Sequence, residues 1–248
     1  MPRIKPEPLI KFYNEASEVL EIGIDEAGRG PLFGRIYTAA VILPKDEIFE
    51  YDKMKDSKKF SSDKKILEVA EHIKKHALAW SVTYNDETVV DKINIRQAVL
   101  SSMHSSIKNV IDATSSNSDV VNNNNDNSSN NSNNNNKNKN KNEYFLLVDG
   151  NDFKPYMRFH NDEFTPVKHV CIEGGDNKYC AIAAASILAK TERDKYIEEL
   201  CEEHPELKDK YNIHKNKGYG TKLHLDGIKE YGISKWHRKS YGICKDYC

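Results

Sequence analysis

Apolar and polar positions alternate along this chain with two periods, and the switches between them mark the elements. VLEIGIDE is apolar and β-branched, ends in a glycine-rich turn and is followed by IYTAAVILP, closed by Pro44; the two predict a strand pair. Ser61 or Ser62 in DSKKFSSDKK offers an N-cap, after which Ile66, Leu67, Ala70, Ile73 and Ala77 recur at helical spacing. LAWSVTYN predicts a third strand. In INIRQAVLSSMHSSIKNVI, the residues Ile95, Ala98, Val99, Met103, Ile107 and Val110 form one helical stripe. YFLLVDG is a short continuous apolar run of the kind found in buried strands, and VKHVCIE predicts a fifth strand. YCAIAAASILAKTERDKYIEELCEE, rich in Ala, Leu and Glu and without a breaker, predicts a long helix whose first half is buried. Beyond His204 and Pro205 a smaller helical region is expected around HLDGIKEYG. The order of elements describes an α/β architecture, a mixed five-stranded sheet flanked by helices with a small C-terminal helical extension.

One segment breaks the pattern. From about 115 to 142 the chain is almost entirely Asn, Ser, Asp and Lys, which cannot bury enough apolar surface to offset its ordering entropy, so disorder is expected there. Apolar sequence resumes at once, which makes the tract an insertion in a surface loop, not a boundary. The expected organisation is an N-terminal extension over 1–19, a catalytic domain over 20–204 and a C-terminal extension over 205–248.

Composition excludes several classes. The 248 residues carry 37 basic and 38 acidic side chains, a formal net charge of -1, so any nucleic-acid binding must be local and not global. From Pro205 onward ten Lys/Arg stand against five Asp/Glu, which makes the C-terminal end the basic part. No run has signal-peptide or membrane-spanning character, and a soluble, cytoplasmic protein without membrane association is expected. Five cysteines, Cys171, Cys180, Cys201, Cys244 and Cys248, are expected as free thiols.

Asp25 and Glu26 sit where the first strand meets Ala27-Gly28-Arg29-Gly30-Pro31; Asp149 ends a second apolar strand, and Asp176 follows the fifth. A single Asp before Gly is most often a turn former. Four carboxylates at neighbouring strand ends are a different matter: they repel one another in the absence of cations, and oxygen-only, charge-rich clusters are what Mg²⁺ or Mn²⁺ require.

The segment GIDEAGRGPLFGRIYTAAVILP closely resembles the opening signature of the type 2 ribonucleases H. The resemblance continues, in the family's order, through DSKKFS, INIRQAVLSSM, LLVDGN, GGDNKYCAIAAASILAKTERD and GYGTKLHLDGIKEYGISKWHRKSY. It implies a ribonuclease H-like fold in which Asp25, Glu26, Asp149 and Asp176 bind two divalent ions (Mg²⁺ or Mn²⁺) and carry catalysis. It also implies hydrolysis of the RNA strand of RNA–DNA hybrids, and cutting 5′ of single ribonucleotides in duplex DNA, leaving 5′-phosphate and 3′-hydroxyl ends. Such an activity serves ribonucleotide or primer removal in replication and repair. By the same resemblance Gly28, Arg29 and Gly30 contact the 2′-hydroxyl and its phosphate, and Tyr219 bonds the same hydroxyl and packs on the next sugar. Ser57, Lys58, Lys59 and Lys190, with His214, Lys215 and Arg238, are candidate phosphate contacts, and Asp194 is expected in a supporting role. The C-terminal motifs look like single-subunit bacterial-type enzymes, for which a monomer is expected.

Two departures stand out. Arg35 occupies a position where the family commonly has proline, and the asparagine tract falls before the strand ending at Asp149. The ending ICKDYC shows no clamp-binding motif of the glutamine-apolar-aromatic kind. Rival readings are another nuclease or recombinase on the same fold, which would lack DEAGRGP with GYGT, and a non-catalytic duplex-binding subunit, which would not need all four acids.

Overall fold

The computed structural model describes residues 8–46, 48–120, 143–160 and 162–248. At its centre is a five-stranded sheet in the order β3-β2-β1-β4-β7. β1 (Val19–Ala27) pairs antiparallel with β2 (Ile36–Ile42), and β2 with β3 (Ala79–Asn85). β4 (Glu143–Asp149) runs parallel to β1 on one side and to β7 (Lys168–Ile172) on the other, so the sheet is mixed as expected. The parallel register Ile24↔Val148 brings the ends of β1 and β4 level, with Asp25 and Asp149 one residue further along their strands.

The two faces of the sheet are covered by different helices, and strand alternation sorts the residues between them. Ile22, Ile24, Leu146 and Val148 join Ala98, Val99, Met103 and Ile107 of α2 (Glu87–Val120) in one core. Ala39, Val41 and Leu147 point the other way, onto the alanine-rich first half of α3 (Cys180–Glu203) and onto Ile66, Ala70 and Ile73 of α1 (Asp63–His76). Close approach of α3 is what its small residues permit. A Cβ at Gly23 would lie 2.1 Å from the Ala181 backbone, so strand and helix meet at a distance only glycine allows.

Several boundaries differ from the sequence pattern. Ser62 caps α1 through Lys65 N; Leu67 is 50% exposed and falls outside the buried stripe, while Ala77, the C-cap, packs half-buried against it. The helix expected from Ile93 begins a turn earlier, at Glu87, where Asp86 Oδ1 accepts from Val89 N, and it is kinked at Asn94 (φ 65°, ψ 161°). There the Asn94 side chain accepts from Gln97 N and restarts the helix. The helix runs on to Val120, past the point at which the asparagine tract was expected to begin; the rest of that tract, 121–142, lies outside the described residues. A hairpin of β5 (Met157–His160) and β6 (Glu163–Pro166) was not expected, since its apolar residues, including Phe159 and Phe164, are largely exposed and give no core signal.

Both expected extensions pack on the central body. Ile10 bridges Tyr179, and Tyr13 N and Asn14 N donate to Glu21. The C-terminal region folds as α4 (Glu206–Tyr211), α5 (Ile213–Asn216) and α6 (Lys222–Tyr231). It shares a third core with Phe33, Tyr37, Tyr196 and Ile197, and a bridge joins Phe33 to His237. All five cysteines are free, as expected. Among the described residues no helix is long and apolar enough to cross a membrane.

Candidate active site

A cleft of about 630 Å³ opens at the edge of the sheet where β1 and β4 end, and all four predicted carboxylates line it. Asp25 continues the Gly23 face of β1 toward α3, where the Ser186 hydroxyl hydrogen-bonds it. Its Oδ1 also accepts from Glu26 N at 2.7 Å. Glu26, at the mouth of the strand, leans toward Arg29 at 3.6 Å. Asp149 Oδ1 accepts from Gly175 N at 2.6 Å, which ties the end of β4 to the 3₁₀ turn Gly175–Asn177 that carries Asp176. Asp176 faces Lys58 at 3.9 Å and accepts from Asn177 Nδ2.

The electrostatics are those of like charges held together. Burial, then the charges of Glu26 and Asp149, push the Asp25 carboxyl well above the ordinary range. Burial raises Glu26 too, with Arg29 opposing and Asp149 adding to the rise. Asp176 is raised by burial, then by Asp149 and Asp56. Asp149 contributes to all three shifts, which puts its charge at the centre of the group.

This donor set fits divalent cations: it is made of carboxylate oxygens, and three of the four groups are disfavoured as anions by burial and by one another's charge. Among the described residues no three Asp, Glu, His or Cys side chains already stand in an arrangement ready to hold an ion.

Of the predicted substrate contacts, Gly28, Arg29, Gly30, Ser57, Lys58, Lys190, Lys215 and Tyr219 line the same cleft. Gly28 has φ +95°, and a Cβ there would lie 2.2 Å from Arg193 Nε, so conformation and space both demand glycine. The Tyr219 ring reaches to within 3.5 Å of where a Gly30 Cβ would stand, so the Gly-Arg-Gly turn and Tyr219 are neighbours at the cleft. Lys190 pairs with Asp194 at 2.6 Å, and both line the cleft.

Four expectations change. Ser57 is buried with its hydroxyl 3.0 Å from that of Ser186, so it supports Asp25 through Ser186 and does not present a free donor. Lys59 bonds Asn177 and faces a neighbouring pocket. His214 turns from the cleft, half-buried. Arg238 is fully buried and cannot meet a phosphate; it donates to the carbonyls of Gly28, Arg29, Pro31 and Gly34 at 2.7–3.2 Å.

Sequence reasoning missed Ser186, Arg193, Asn216 and Lys217, which also line the cleft. Ser186 sits inside the buried alanine run, where a polar residue was a readable signal. Arg193, buried on α3, donates to the carbonyls of Phe33, Arg35 and Lys217, contacts that no local pattern announces. Arg35 places its guanidinium 4.1 Å from the Tyr84 ring centre and 4.4 Å from that of Tyr196, an aromatic seat that accommodates it in place of proline.

The mixed α/β fold has solved counterparts. The ribonuclease H2 of Pyrococcus horikoshii OT3 superposes with a TM-score of 0.65 at 17% identity, covering 92% of this chain and 96% of that one. Bst-RNase HIII, solved in complex with Mn²⁺, gives 0.58 at 16% identity, over 93% and 70%. The fold therefore places this chain in the class of ribonuclease H-like α/β proteins.

The family follows from sequence. The family model described as Ribonuclease HII matches residues 22–244. The ribonuclease HII of Parabacteroides distasonis is 38% identical over 224 residues, 90% of each chain, and that of Bacteroides thetaiotaomicron is 37% identical over 238 residues, 96% of each. The chain belongs to the ribonuclease HII family. It is accordingly a type 2 ribonuclease H, a nuclease that hydrolyses the RNA strand of RNA–DNA hybrids.

Proposed function

We propose that this enzyme also cuts on the 5′ side of a single ribonucleotide embedded in duplex DNA, by two-metal-ion catalysis, leaving 5′-phosphate and 3′-hydroxyl ends. The observation that carries this reading is that the Gly28-Arg29-Gly30 turn, Tyr219 and the four carboxylates line one cleft, with the Tyr219 ring next to Gly30.

Asp25, Glu26, Asp149 and Asp176 would hold the ions, Mg²⁺ or Mn²⁺. Bound there, divalent cations supply charge stabilisation at the scissile phosphate and ease deprotonation of the attacking water. Ser186 and the Glu26 amide orient Asp25, and the Gly175 amide orients Asp149. Arg29 offers forked donors to the phosphate, while Gly28 and Gly30 let the backbone approach the 2′-hydroxyl. Tyr219 is 50% exposed, with its ring free to pack on a sugar and its hydroxyl to bond the 2′ oxygen. Lys58, Lys190 and Lys215 lie where neighbouring phosphates would run.

A site built around one hydroxyl rejects a substrate that lacks it by roughly 10⁴-fold, because its polar groups are left unpaired. The test is cleavage of a duplex carrying one ribonucleotide, an RNA–DNA hybrid and an all-DNA duplex, in Mg²⁺ and in Mn²⁺. Cutting 5′ of the lone ribonucleotide with all-DNA inert is the expected result. Cleavage of the hybrid without any cut at the lone ribonucleotide would make this a hybrid-only nuclease.

A further inference from the structure

His224 and His237 form a buried pair whose Nε2 atoms are 3.0 Å apart, and nothing in the cleft chemistry uses it. Its hydrogen bonds admit one proton assignment. Ser234 N lies 2.9 Å from His237 Nδ1 and can only donate, so Nδ1 accepts. In a neutral ring the proton is then on His237 Nε2, which donates to His224 Nε2. That leaves the His224 proton on Nδ1, 2.9 Å from the carbonyl of Tyr219, which can only accept. The Ser234 hydroxyl, 2.8 Å from the same Nδ1, donates to it as well, so the bonds run in one direction, from Ser234 through two neutral imidazoles to the backbone of the tyrosine next to the Gly-Arg-Gly turn. Burial favours the neutral rings: it lowers His224, and with the neighbouring His224 it pushes His237 down to about 3.

The next residue in the chain completes the arrangement. Arg238 N donates to Leu32 O, and the guanidinium gathers the carbonyls of Gly28, Arg29, Pro31 and Gly34. Successive side chains thus reach two segments that meet at the cleft, joined by the bond from Leu32 N to Gly218 O. His237 reaches the Tyr219 segment through His224, and Arg238 reaches the Gly28–Gly34 segment directly.

We infer that His224, His237 and Arg238 are positioning residues that set the gap between Tyr219 and the Gly-Arg-Gly turn, and with it the discrimination of a single 2′-hydroxyl. The inference rests on the proposed role of Tyr219 in reading that hydroxyl. A hybrid offers many registers and tolerates a loosened gap; a lone ribonucleotide offers one and does not. His224 therefore acts on the lone-ribonucleotide substrate, and it acts through Tyr219.

The experiment measures kcat/KM on a single-ribonucleotide duplex and on a hybrid for His224→Phe, His224→Gln, Tyr219→Ala and the double variant Tyr219→Ala/His224→Phe. Phenylalanine keeps the packing of the ring and removes both bonds, and the expected loss is about tenfold on the single ribonucleotide and smaller on the hybrid. Glutamine can accept from His237 and donate to Tyr219 O, so it restores most of that loss. In the double variant the loss is no greater than in Tyr219→Ala, because the histidine works only through the residue already removed. Equal losses on both substrates, or losses that add in the double variant, overturn the inference while leaving the role of Tyr219 standing. Unchanged cleavage by Tyr219→Ala overturns that role, and the inference with it. If His224→Phe does not fold, Arg238→Lys takes its place. A single ammonium cannot hold four carbonyls, and the same selective loss on the lone ribonucleotide is expected, an equal loss on both substrates overturning the inference.

Discussion

Asp149 is the residue on which the carboxylate group turns, since its charge raises Asp25, Glu26 and Asp176 alike. Asp149→Asn keeps an oxygen for the Gly175 amide and removes that charge. Cleavage of a hybrid in saturating Mg²⁺ should fall by about 10²–10³-fold or more, as for loss of one electrostatic group from an active site. Denaturant unfolding of the metal-free variant should show stability equal to or above that of the wild type, because repulsion within the group is relieved. Full activity in the purified variant would remove Asp149 from the site. At Gly28, alanine meets both a left-handed backbone and Arg193 Nε, so Gly28→Ala should lower single-ribonucleotide cleavage at least tenfold, readable as a change in kcat/KM.

Among the elements, the contact of β1 with α3 matters most, because it seats Asp25 beside Ser186. Its closeness depends on Gly23 against Ala181. Gly23→Val would force the helix away from the strand, and a destabilisation of about 3 kcal/mol is expected, measurable by urea unfolding. If stability changed by less than about 0.5 kcal/mol, the usual range for surface substitutions, the close packing of helix on strand would not be a determinant of this core. The asparagine tract belongs to this scale too. Its composition cannot build a core, so replacing 121–141 with a short Gly/Ser linker should leave hybrid cleavage within about twofold, whereas a large loss would show that the tract takes part in activity.

For the molecule as a whole, the histidine pair ties stability to pH. His237 is depressed from 6.5 to about 3 by burial and by His224, so between those values the unfolded chain takes up a proton that the folded one refuses. The pair's contribution is complete above pH 6.5 and is lost as pH falls toward 3. The difference in unfolding free energy between the wild type and His237→Phe isolates this from the carboxylates, whose raised values act in the opposite sense. That difference should shrink by up to about 1.4 kcal/mol per pH unit below 6.5. A difference independent of pH from 7 to 5 would mean that the folded ring takes up its proton as readily as the unfolded one, and would remove the burial effect.

Strand and helix periods, the polar tract and the four acids were legible in the sequence because each is a local property: alternation, composition, an acid beside a strand-ending glycine. Asp25, Glu26, Asp149 and Asp176 could be named as one group since parallel strands that end together bring their last residues together. What the sequence could not show was the direction of individual side chains near the cleft. Arg238 and Lys190 read alike as basic residues of a phosphate-facing surface, yet one is buried on four carbonyls and the other lines the cleft. Nor could it show that Ser186, Arg193 and the His224–His237 pair support the site, for their partners lie far away in the chain or across a packed interface. The β5–β6 hairpin escaped notice for a different reason, its exposed apolar residues carrying no core signal. Local physics fixes which elements form; which polar groups meet depends on how close those elements pack, and that distance exists only in the folded molecule.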